Sequence, residues 1–176
     1  MERDAVRDLG EHLGAMSIAW ALFGAVAANR YRREVRLTGD VELLLADHGG
    51  DLAALERSLT ESGWTTRRAT PDGSVLRLRH PRFGAADLVL AETEYQRVAL
   101  GRARVEVDTT GAVIRYLAPE DIIIHKLIAA RPRDLDDIEN ILDAAPELDE
   151  AYLEGWVEAW EVVDLWHRLR GASRTG

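Results

Sequence analysis

Apolar positions recur at helical spacing in some stretches of the chain and at alternate residues in others, and these changes of period predict its order of elements. The opening "RDAVRDLGEHLGA" places Val6, Leu9 and Leu13 on one helical face. "SIAWALFG" is apolar and ends in glycine, which suits a buried strand, and "AVAANRYR" suits a helix entered through a tight turn. "VELLLA" predicts a central strand with Glu42 embedded in it, and "LAALERSLTESG" predicts an amphipathic helix, capped by Asp51 and closed by Gly63. Three short strands follow, "WTTRRA", "SVLRLRH" and "AADLVLA", divided by the turn signals "PDG" and "PRFG". "YQRVALGRA" fits either period, whereas "VEVD" and "VIRYL" pair across "TTG". Pro119 opens a helix at its first turn, Pro132 separates it from "RDLDDIENILDAA", and "DEAYLEGWVEAWEVVDLWHRLR" supplies one last helix.

The expected fold is therefore α+β, a mixed sheet flanked by helices with a helical C-terminal third. A chain of 176 residues suits one domain, with residues 1–117 as its sheet-containing core and 118–170 as a helical subdomain. Apolar residues make up 47% and charged residues 30%, an ordinary soluble balance. With no cysteine, disulfides and thiolate metal sites are excluded. "MERDAVRDLGEHLGA" reads as neither signal peptide nor anchor, and the apolar run "MSIAWALFGAVAA" is too short for a membrane span. The expected location is the cytoplasm.

A net charge of −9 argues against binding nucleic acid by field alone. Arg30, Arg32, Arg33 and Arg36 nevertheless cluster in "NRYRREVR", a basic edge suited to phosphates. The basic residues hold a further oddity: of 22 lysines and arginines only Lys126 is a lysine. A lone ammonium in an arginine-rich chain marks either chance or a position where a compact point charge does what the guanidinium fork cannot.

Asp40 and Glu42 flank Val41 where the chain enters a strand, so their carboxylates share one side of a sheet. Two hard oxygen ligands so placed suit Mg²⁺, which keeps several waters and substrate phosphates in its shell. Asp87 interrupts the apolar strand "AADLVLA", a placement that costs free energy unless the carboxylate is paired, hydrogen-bonded or metal-bound. If the two strands adjoin, three carboxylates meet as in two-metal phosphoryl transfer; if not, the pair is an ordinary solvated strand end.

Two stretches carry a resemblance. "ALFGAVAANRYRREVRLTGDVELLL" resembles the opening of minimal nucleotidyltransferases of the polymerase-β-like superfamily, specifically the AbiEii-type toxin branch: an apolar strand, Gly-Gly or Gly-Ser, a short helix, then Arg-x-Thr-x-Asp-apolar-Asp. "LAPEDIIIHKLIAARPRDLDDIENIL" resembles that branch's second signature, a helix carrying a lysine followed by Arg-x-x-Asp-x-x-Asp. The resemblance implies that Asp40, Glu42 and Asp87 hold two Mg²⁺ ions, with Asp87 drawing the proton from the attacking hydroxyl. It implies that Gly24, Ala25 and Thr38 belong to the nucleotide-binding strand and loop, and that Arg36 and Lys126 neutralise the triphosphate. Arg131, Asp134 and Asp137 would form the helical wall of the nucleotide pocket. The substrate would be a nucleoside triphosphate, the acceptor an RNA 3′ end or a protein hydroxyl, and the setting a bacterial toxin–antitoxin or phage-defence pair with a cognate antitoxin.

The chain departs from that pattern at Ala25, which replaces a glycine or serine, and at Glu42, which replaces the second aspartate. Both departures leave open a degenerate member that binds nucleotide without chemistry, or an interaction subunit docking through its helical third. Trp156 and Trp160, four residues apart, read as core or helix contact, and His125 as structural or solvent-facing. "RRATPDGSVLRLRHPR" fits a nucleic-acid-binding hairpin or one solvated sheet face equally.

Overall fold

The computed structural model describes residues 2–46, 52–144 and 147–173, and within it the chain forms two compact units. The first comprises residues 1–23 and 38–117, the second residues 24–37 and 118–176. Asp51, the expected cap, lies outside the described residues.

All seven strands belong to the first unit: β1 (Trp20–Phe23), β2 (Asp40–Leu45), β3 (Thr65–Arg68), β4 (Val75–His80), β5 (Gly84–Leu90), β6 (Arg104–Val107) and β7 (Val113–Tyr116). They form one mixed sheet in the order β3-β4-β5-β2-β1-β7-β6, in which β2 runs parallel to β5 and β1 parallel to β7. Three helices accompany the sheet: α1 (Glu2–Ala15), α3 (Leu52–Glu61) and α4 (Glu94–Gly101). The stretch that fits either period is helical because Thr93 and Gln96 cap each other's backbone at its start.

Alternation of side chains divides the sheet. Val41, Leu43, Leu76, Leu78, Ala86 and Leu88 are buried on one face. Helix α1 packs against β2, β5 and β7, bringing Ala5, Val6, Leu9 and Leu13 out of solvent. Gly10 permits this approach, because a Cβ there would lie 2.7 Å from the Trp20 ring. The opposite face carries Arg77 and Arg79 on β4, Asp87 on β5, and Asp40 and Glu42 on β2.

The second unit is helical: α2 (Gly24–Ala28), α5 (Pro119–Ala129), α6 (Pro132–Asp143), α7 (Glu150–Ala159) and α8 (Val163–Ser173). Helix α2 is shorter than the periodicity predicts, giving way to a turn at Asn29. Helix α5 is buried almost all round, including the acids Glu120 and Asp121 of its first turn. Their partners come from the start of α7: the Asp149 N–H donates to Glu120 at 2.9 Å and the Tyr152 hydroxyl to Asp121 at 2.6 Å.

The single last helix expected from the sequence is corrected to two. Glu161 takes φ 56, and the N–H of Val162 reaches back to the carbonyl of Val157, closing α7 before α8 begins. The break lets α8 fold back on α7, where Trp166 is fully buried and its indole N–H donates to Glu154 at 2.9 Å. A left-handed conformation costs an L-residue free energy that glycine avoids. Glu161→Gly is accordingly expected to stabilise the protein by about 1 kcal/mol, read as an increase of a few degrees in Tm.

Candidate active site

In the parallel pairing of β2 with β5, Glu42 stands opposite Asp87 and Asp40 opposite Ala85. Residues in register on adjacent strands point to the same side, so the three acids share one sheet face. Asp40 is exposed at the strand entrance, whereas Glu42 and Asp87 are half-buried. The Thr38 hydroxyl lies 3.2 Å from the Asp40 carboxylate and orients it by donating a hydrogen bond. Burial pushes Asp87 above the ordinary carboxylate range, the nearby Asp40 charge adds to this, and Arg77 opposes it. The Arg77 guanidinium stands 3.6 Å from Asp87 and is itself more than half exposed. Among the described residues no group of three or more acidic or imidazole side chains is placed to hold a metal ion together. What this face offers is hard carboxylate oxygen on neighbouring strands, with solvent at Asp40.

The second unit gathers Arg36, Lys126, Arg131 and Asp134 in one cluster with Asp137, which is fully buried. Arg36 grips its carboxylate through two nitrogens at 2.9 and 3.0 Å, while Arg32 and Lys126 donate to the same group. Asp134, one turn earlier on α6, receives Lys126 at 3.5 Å and Arg131 through both Nε and Nη2. Burial raises Asp134, but the Arg131 hydrogen bond and the Lys126 charge outweigh it and hold the carboxyl below its usual range. Lys126 itself is buried, its ammonium turned to both acids. The turn that presents Arg36 is fixed by Asn29, whose side chain accepts from the Arg36 N–H at 3.1 Å and donates to its carbonyl at 2.8 Å.

These positions differ in part from the expected basic edge. Arg32 is buried rather than presented outward, with its side chain 4% exposed. The sequence pairs Asp134 with Asp137 by spacing, but contains no signal that arginines a hundred residues earlier reach them. Asn29 and Arg77 are the residues of these clusters that sequence reasoning missed, whereas the sequence predicts Arg32 on an edge presented to phosphates. His125, half-buried beside Lys126, is pushed down to about 4 by burial and then by that ammonium, so it is neutral near pH 7. Gly24 opens α2 directly after β1 with φ 64, a conformation natural to glycine, and Ala25 behind it is buried. Arg77 and Arg79 are exposed while Leu76 and Leu78 are buried, so β4 has one solvated and one apolar face.

No protein-family model matches the sequence, and no curated protein matches it. Solved structures do. An antigenic nucleotidyltransferase-like protein from Paracoccidioides brasiliensis aligns over 97% of this chain and 91% of its own, with 19% identity and a TM-score of 0.60. The ANT(2″)-Ia structure in complex with adenylyl-2″-tobramycin aligns over 87% of this chain and 92% of its own, with 15% identity and a TM-score of 0.61. The Megavirus polyadenylate synthase aligns over 84% of this chain and 33% of its own, with 16% identity and a TM-score of 0.54. None of these points to the AbiEii-type branch in particular. The chain has an α+β fold with a mixed sheet, similar to the folds of these solved structures.

Proposed function

We propose that the protein is a metal-dependent nucleotidyltransferase, moving a nucleoside monophosphate from a nucleoside triphosphate to an acceptor hydroxyl. The observation that carries this reading is the register of β2 with β5, which sets Asp87 beside Glu42 and on the face of Asp40. The donor set fits a divalent cation in kind, being all carboxylate oxygen and partly solvated, although the three acids are not already gathered as a metal-holding group. Asp40, Glu42 and Asp87 would hold Mg²⁺, one ion or two, which when bound supplies charge stabilisation to the phosphates. Asp87, its carboxyl raised by burial, is suited to take the proton of the acceptor hydroxyl. The acceptor oxygen then bonds to the α-phosphorus as the bond to the bridging oxygen breaks, and pyrophosphate leaves with that electron pair.

Gly24, Ala25 and Thr38 are assigned to nucleotide binding, as are Arg36, Lys126, Arg131, Asp134 and Asp137. Four cations in the helical unit, Arg32, Arg36, Lys126 and Arg131, face the two buried acids Asp134 and Asp137 and the exposed Asp136, which leaves one positive charge over, suited to phosphates. Arg36 and Arg131 keep exposed surface for them, with side chains 31% and 53% accessible, while Lys126 fixes the acids that hold Arg36 and Arg131.

The toxin role, a cognate antitoxin and an RNA or protein acceptor rest on the sequence resemblance, a cytoplasmic setting rests on the composition, and all extend this proposal. Among the described residues no helix is long and apolar enough to cross a membrane. The alternative is a degenerate nucleotidyltransferase-fold protein serving as a nucleotide-binding or interaction module, favoured by the ion pair of Arg77 with Asp87 and by Ala25 at the start of α2. Label transfer separates the two: purified protein, Mg²⁺, each α-labelled nucleoside triphosphate in turn, with total RNA or a protein extract as acceptor. Transfer that disappears on chelation supports the enzyme; nucleotide binding without transfer for any nucleotide supports the module.

A further inference from the structure

We propose that the open edge of the sheet at β6 is a self-complementary dimerisation strand, which pairs antiparallel with β6 of a second copy. The sheet ends at β3 on one side and β6 on the other, and the two edges differ in character. β3 reads Thr-Thr-Arg-Arg, charge that blunts an edge against pairing. β6 reads Arg-Val-Glu-Val, with Val105 52% and Val107 66% exposed and Val113 of the neighbouring strand 49% exposed beside Val107. Exposed valines on an unpaired edge invite pairing rather than prevent it.

The backbone phase restricts how two copies can meet. Asp108 donates to the Ala112 carbonyl at 2.9 Å, so the hydrogen-bonded positions toward β7 are Asp108, Glu106 and Arg104. The N–H and C=O groups of Val105 and Val107 therefore point to the open edge. Antiparallel pairing through outward groups can place Val105 opposite Val105, Val107 opposite Val107 with the acids Glu106 and Asp108 set against each other, Glu106 opposite Glu106, or Arg104 opposite Arg104. The last two set like charges against each other across the two-fold axis. With Val105 opposite Val105, Arg104 of each copy faces Glu106 of the other, twice, in the non-hydrogen-bonded positions where side chains approach most closely. On the reverse face Val107 of each copy meets Ala103 of the other, beside the two central Val105 residues and flanked by Val113. Charge, apolar surface and backbone phase thus select one register, and the partner it fits is a second copy of this chain. The pairing lies within the sheet-bearing unit and does not depend on the proposed reaction.

Sedimentation velocity across a concentration series tests this, with wild type expected to show a monomer–dimer equilibrium. Glu106→Arg places arginine against Arg104 and is expected to weaken the dimer on the order of tenfold or more. The double exchange Arg104→Glu with Glu106→Arg restores both ion pairs and is expected to recover the dimer, a rescue that unspecific loss of folding would not give. The chain has no cysteine, so Val105→Cys adds a single thiol that is expected to form an intermolecular disulfide under mild oxidation. A monomer at all concentrations would overturn the proposal, as would a dimer indifferent to Glu106→Arg or a Val105→Cys protein that dimerises without cross-linking.

Discussion

Asp137→Ala is expected to destabilise the helical unit by about 3–5 kcal/mol, the cost of leaving buried charge without its counter-ion. Asp137 is the common acceptor of Arg32, Arg36 and Lys126, and it is fully buried while the side chains of Arg32 and Lys126 are 4% and 5% exposed. Burial already lowers Arg32, the nearby Arg36 charge lowers it further, and Asp136 opposes both. Without Asp137, Arg36 loses both hydrogen bonds that place its guanidinium. A loss of this size is a large share of the 5–15 kcal/mol that holds a typical domain together. Urea unfolding followed by circular dichroism measures it. Asp136→Ala is the control, since Asp136 is 62% exposed and 3.5 Å from Arg32, and should change stability by less than about 1 kcal/mol. Equal mild effects from both substitutions would show that the cluster does not support the unit.

This cluster also shows where reading the sequence stops. Asp134 and Asp137 at helical spacing, and the solitary Lys126, are visible in the chain, and the structure joins them: a compact ammonium sits between two carboxylates of one helix. A planar guanidinium needs more room and presents its donors as a fork, which gives a physical reason for lysine here in a chain of arginines. Arg32 and Arg36 could not be assigned to Asp137 in advance, because long-range pairing leaves no local pattern.

Elements were legible where periodicity is clean, as in the buried Leu76 and Leu78 alternating with exposed Arg77 and Arg79. They were obscured where a cap or a turn decides. The Thr93–Gln96 capping box settles α4 from a cap residue that precedes the ambiguous stretch, and the left-handed Glu161 splits the last helix with neither glycine nor proline to announce it. The buried acids of α5 accept hydrogen bonds from the start of α7, some thirty residues on, so their burial could not be read from α5 alone.

Asp40→Asn is expected to lower the rate of nucleotidyl transfer by at least about a hundredfold, with nucleotide affinity in the absence of metal little changed. The change keeps size and hydrogen-bonding reach, and leaves Thr38 a carbonyl oxygen to donate to in place of the carboxylate. It removes one negative charge from the face that Asp40 shares with Glu42 and Asp87, and the proposed cation loses a ligand there. Asp87→Asn should be as severe for a second reason, since an amide cannot take the acceptor's proton. Arg77→Ala separates the readings of this face. If Arg77 competes with a cation for Asp87, its removal tightens metal binding and leaves transfer intact or faster. If the pair of Arg77 with Asp87 is structural, the same change lowers stability without altering the metal dependence of the reaction. Titration of Mn²⁺ by electron paramagnetic resonance on wild type, Asp40→Asn and Arg77→Ala reads the binding half of the argument without any turnover. An affinity unchanged by Asp40→Asn would remove the carboxylate face from the metal site, whatever the activity of the protein.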